Sequence, residues 1–87
     1  MYVQTLIFMF HYHVKFYKTH KRSLFFPSFK YKNYLVPIDH TTYLVMLKLI
    51  TAIYNSGEDS KMDKKLYKQF TEIENCLFNV NYFEFEC

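Results

Sequence analysis

Two histidines one residue apart, His11 and His13, are the first residues whose spacing could do chemistry. On a strand, alternate residues share a face. The pair would then present two imidazoles side by side, a spacing some zinc sites use, with His20, His40, Cys76 or a carboxylate as further ligands. Tetrahedral zinc needs three or four ligands brought together, and two histidines on the solvated face of a hairpin are the ordinary alternative, so no metal or other cofactor is expected. A second constellation is basic and aromatic: Lys15, Tyr17, Lys18, Lys21 and Arg22, followed by Lys30-Tyr31-Lys32. Single-stranded nucleic acid is held in this way, by cations that follow phosphates and rings that stack on bases. Alternation puts Phe29 and Tyr31 opposite Lys30 and Lys32, which makes those rings core rather than stacking platforms. The candidate nucleic-acid contacts are therefore the cations Lys15, Lys18, Lys21, Arg22, Lys30 and Lys32.

Catalytic chemistry has less to work with. Gly57 is the only glycine, which removes phosphate-cradling glycine loops, the dinucleotide fingerprint and the strained nucleophile elbow, each of which needs two or more. Cys76 and Cys87 are eleven positions apart and form neither a zinc ribbon nor a CxxC redox pair. Glu72 and Glu74, two apart on a helix, do not face each other. Glu84 and Glu86 share a strand face but have no obvious pocket in so small a chain. A non-enzymatic protein is expected.

The elements that must carry these residues follow from periodicity. Phe8, Phe10, Tyr12, Val14 and Phe16 alternate with Met9, His11, His13 and Lys15, a period of two that predicts a strand. Thr19–Ser23 suits a turn. Leu24–Val36 resumes the alternation, with Pro27 and Pro37 limiting it to an edge-like strand. Asp39, or Thr41 and Thr42, then caps a helix carrying Leu44, Leu47, Ile50 and Ile53, which stops at Gly57 in the left-handed cap position. Ser60 and Asp63 resemble a capping box that opens a second helix with its apolar stripe at Met62, Leu66, Phe70, Ile73 and Leu77. Val80–Cys87 alternates again and allows a short terminal strand. The expected fold is a small α+β single domain over residues 1–87: an N-terminal β-hairpin, two helices and an optional C-terminal strand. Residues 1–36 form the basic aromatic hairpin region and 39–87 the helical region. The expected core is Phe8, Phe10, Tyr12, Val14, Leu47, Ile50, Leu66, Phe70, Ile73 and Leu77.

Phe, Tyr, Lys, Ile, Asn and Met supply 43 of the 87 residues, and Gly, Ala, Arg and Pro together five. That skew marks an AT-rich coding source, and a truncated or non-selected reading frame would share it. Residues 1 to 50 carry seven lysine or arginine side chains against Asp39 alone, whereas residues 51 to 87 carry four against seven carboxylates. The halves attract each other, or the first half meets an acidic partner. Neither Tyr2–Val14 nor Tyr43–Tyr54 reaches the ~20 apolar residues a membrane span needs. No secretory cleavage pattern is visible, so a cytoplasmic chain is expected. Nineteen aromatic rings (ten Phe and nine Tyr) exceed what one small core hides. The surplus predicts an apolar patch and hence a protein-interaction or self-association module. A basic nucleic-acid-binding or membrane-associated accessory protein is the alternative.

Overall fold

The computed structural model describes residues 1–17, 26–32 and 34–83. Three helices dominate: α1 (Tyr2–Tyr17), α2 (His40–Ser56) and α3 (Lys64–Phe78). Between α1 and α2 lies a hairpin of β1 (Phe26–Tyr31) and β2 (Tyr34–Pro37), and β3 (Asn81–Phe83) follows α3. The sheet order is β2-β1-β3, antiparallel throughout, with Phe29 opposite Val36 and Pro27 opposite Tyr82. The expected α+β fold opening on an N-terminal hairpin is thus corrected. The chain is mostly helical, and its hairpin sits after the first helix. β1 is also the central strand rather than an edge. Pro27 is tolerated there because the β2 ladder begins only at Ser28, and the Pro27 carbonyl still accepts a hydrogen bond from Ile38 N–H at 2.9 Å. The turn expected over Thr19–Ser23 lies outside the described residues, as do residues 84–87.

The predicted first strand is a helix because two i,i+4 stripes run through it. Val3, Leu6, Phe10 and Val14 form the inner one, and all four are buried. Phe10 stacks on Phe29 of β1 with ring centroids 5.4 Å apart and meets Tyr31 edge-on at 5.3 Å. Phe8 and Tyr12, expected in the core, lie on the other side, 71% and 55% exposed. The rest of the core comes from Phe29, Val36 and Ile38, from Met46, Ile50 and Ile53 on α2, and from Phe70, Ile73, Cys76 and Leu77 on α3. Leu47 and Leu66 pack against it half-buried.

Caps define the other two helices. Asp39 accepts from Thr42 N–H at 2.9 Å and from the Thr42 hydroxyl at 2.6 Å, and these bonds hold its carboxyl below the ordinary range. Gly57 ends α2 at φ 77°, a left-handed conformation that glycine enters without strain. Asp63 is itself the N-cap of α3, accepting from Leu66 N–H at 2.7 Å. Ser60 belongs to a 3₁₀ turn over Glu58–Lys61 and donates to the Gly57 carbonyl, so the expected Ser60–Asp63 capping box is replaced by a single aspartate cap.

Helix α1 has no acidic residue in its first turn. Its orphan N–H groups are satisfied from far along the chain, where Glu58 accepts from Tyr2 N–H and Val3 N–H at 3.2 Å each and also from the Ser56 hydroxyl. Partial desolvation pushes the Glu58 pKa up, but the bonds from Val3, Tyr2 and Ser56 outweigh it and hold the carboxyl below its ordinary value. A depressed carboxyl contributes stability above its unfolded pKa and loses it as pH falls through the folded one. Glu58→Ala should therefore lower the melting temperature at neutral pH. In paired thermal melts, the gap to wild type should close as the buffer is taken below the carboxylate range.

Candidate interaction surfaces

Once residues 2–17 coil into a helix, the histidine pair loses its strand geometry. Residues two apart sit some 200° around a helix and do not face each other. His13 turns inward, 6% exposed, stacked on Tyr17 at 4.5 Å and hydrogen-bonded through Nε2 to the Pro37 carbonyl. A carbonyl only accepts, so Nε2 carries the proton and is closed to a metal. His11 stays exposed beside Tyr31, with ring centroids 6.4 Å apart. His40 is the exposed first residue of α2, and His20 lies outside the described residues. Among the described residues no group of three His, Cys, Asp or Glu is placed to hold a metal ion.

The candidate cations divide between elements. Lys15 is exposed near the end of α1, Lys30 is exposed on β1, and Lys32 occupies the hairpin turn at φ 55°. Lys18, Lys21 and Arg22 lie outside the described residues. Lys30 and Lys32 line a groove of about 600 Å³ between β1 and α3, where the structure adds Lys68, Thr71 and Asn75. Sequence reasoning did not link Lys68 to this surface, because only the packing of α3 on β1 brings it there. Glu72 lines the same groove and dilutes its positive charge. Phe29 is fully buried, whereas Tyr31 is half-buried and lines the groove, with the Lys32 ammonium 5.4 Å from its ring centre. Cys76 lies at this interface with its thiol turned to the Lys30 carbonyl at 3.5 Å. Burial, with Glu72 nearby, pushes the thiol up to about 11, so at neutral pH it stays protonated and is a poor nucleophile.

Glu74 is a buried carboxylate, 9% exposed, and it accepts a 2.7 Å hydrogen bond from the Tyr54 hydroxyl across the α2–α3 contact. That bond, with desolvation and the carboxylate charge, raises the Tyr54 phenol to about 12.

Among the described residues, the outer stripe of α1 is an exposed aromatic row. Phe8, Tyr12 and Phe16 are 71%, 55% and 54% exposed, with centroids 6.2 Å apart between the first two and 4.5 Å between the second two. Ile7, His11 and Lys15 flank the rings. No known protein family, curated protein or solved structure matches the chain. Among the described residues no helix is long and apolar enough to cross a membrane.

A phenol whose folded pKa is raised stabilises the fold below its unfolded value near 10 and loses that contribution as pH rises through 12. Tyr54→Phe should cost about 1 kcal/mol at pH 7, since it leaves Glu74 buried without its donor. In denaturant titrations, the difference from wild type should shrink as pH rises from 10 to 12.

Proposed function

We propose that the chain is a non-enzymatic interaction module whose working surface is the outer face of α1. The observation that carries this reading is the ladder of Phe8, Tyr12 and Phe16, three adjoining rings held in solvent on a helix whose opposite face is fully engaged in the core. Exposed single hydrophobics are ordinary, but a contiguous aromatic row is the kind of patch that marks a binding surface. We place the module in the reducing cytoplasm, where the free thiol of Cys76 persists.

Phe8→Ser, Tyr12→Ser and Phe16→Ser combined tests the assignment, because serine matches phenylalanine and tyrosine in helix propensity. If the rings serve a partner, the triple variant should stay within about 0.5 kcal/mol per site of wild type, as surface substitutions do. It should also lose most of the wild-type fluorescence enhancement of an apolar dye. A collapse of the melt would show that the ladder holds the fold.

A second reading, nucleic-acid binding, is favoured by one observation, the convergence of Lys30, Lys32 and Lys68 on the β1–α3 groove. Retention of single-stranded DNA or RNA should then fall steeply with salt. Lys32→Glu with Lys68→Glu should abolish it, and retention that ignores both salt and these charges excludes the reading.

A further inference from the structure

We propose that the α1 outer face pairs with a second copy of this chain about a two-fold axis parallel to α1, each copy's Lys15 entering the groove beside the other's Asp39. This rests on the reading of that face as the working surface. Its grounds are the two grooves that border the aromatic row and the charge that each one holds.

Phe8 and Tyr12 form a wall shared by the two grooves. At ~100° per residue, Gln4, His11 and Lys15 fall to one side of the row, and Met9, His13 and Tyr17 to the other. The first groove holds Lys15, and the second, about 260 Å³, is completed by Asp39 and Thr42 from the start of α2. Among the described residues lining the two, Lys15 and Asp39 alone are formally charged, and both are exposed. The face is therefore of opposite sign across the row. A partner surface of one sign would meet one flank with its own charge. A copy related by a two-fold axis along α1 presents its flanks exchanged and its heights unchanged, so Lys15 of each lies against Asp39 of the other. The heights agree. A helical side chain leans toward the N-terminus, which brings the Lys15 stem back beside Tyr12, and Asp39 shares its groove with Tyr12.

The Asp39 groove has the chemistry to take an ammonium. Tyr12 and Tyr17 supply ring walls, and the bonds from Thr42 keep the Asp39 carboxyl ionised. A carboxylate accepts at about four sites, so those two bonds leave room for a lysine, which gains from the rings and from the carboxylate together. His11 lies on the Lys15 flank, and the exposed His40 follows Asp39 in the chain. Neither is an acid, and the pairing is strongest with both imidazoles neutral. The face is small beside the ~800 Å² per partner of a standard interface, so the dimer is reversible and fills with concentration.

The test is sedimentation equilibrium of the whole chain, with circular dichroism showing that the helices persist. Wild type should pass from monomer to dimer mass as concentration rises, and the triple serine variant should stay monomeric. Lys15→Glu sets like charges together twice per dimer and should weaken it more than tenfold. Asp39→Asn keeps the α2 cap, since asparagine caps as well as aspartate, and should weaken the dimer about fivefold, the factor for two exposed ion pairs. Mixing these two variants rebuilds one native pair and sets no like charges together, so the mixed dimer should be tighter than either variant forms with itself. Equal dimerisation of wild type and the triple variant overturns the proposal. So does a mixed dimer no tighter than that of Asp39→Asn alone, or a chain that stays monomeric up to ~1 mM. Loss of the apolar-dye signal in the triple variant would then keep the interaction reading while the second copy is excluded. If the triple variant does not fold, that reading fails instead, and the charge variants, which leave the rings in place, still decide the pairing.

Discussion

The stack of Phe10 on Phe29 is the contact on which the remaining architecture depends. It fastens the first helix to the central strand, and Tyr31 closes the same cluster from the side. Burying a ring of this size contributes roughly 2–3 kcal/mol, with about another 1 kcal/mol from ring–ring geometry. Leu6 and Val14, one turn to either side, extend the seam, and His13 ties its end to the Pro37 carbonyl. The helix also packs on α2 and α3, and β1 on α3, so this seam joins the sheet to a helical layer with contacts of its own.

The same segment shows why its structure could not be read from its pattern. Leu6, Phe10 and Val14 form one helical stripe and Phe8, Tyr12 and Phe16 a second, offset by two residues. Interleaved, they produce an apolar residue at every even position from 6 to 16, which is the alternation of a strand. The period-two signal is the sum of two period-four signals. A helix with a polar outer face would have been unambiguous, so the rings that disguise α1 as a strand are the ones that make its outer surface unusual.

Elements with local instructions were legible. Asp39 and Gly57 bracket α2 with an acceptor and a left-handed residue, and the stripe Leu66, Phe70, Ile73 and Leu77 defines α3. The alternation of Phe29 and Tyr31 against Lys30 and Lys32 placed Phe29 inward and the cations outward, as in the structure, whereas Tyr31 is half-buried and shares the groove with the lysines. What sequence could not show was information held between distant residues. Lys68 joins the groove of Lys30 and Lys32 only through packing, and Tyr54 meets Glu74 twenty positions away. The acidic excess after residue 50 suggested two halves held by opposite charge. Part of it instead serves backbone N–H groups at helix starts, through Asp63 at α3 and Glu58 at α1.

The distance between Glu58 and the helix it caps has a consequence for the order in which the chain acquires its shape. During synthesis residues 2–17 emerge before the acceptor for their leading amides and the partner for Phe10, at positions 58 and 29. A lone helix of sixteen residues is marginal in water, and this one carries a pattern that also satisfies a strand. The front of the chain thus completes its helix with groups supplied from behind it, a ring at Phe29 and a carboxylate at Glu58.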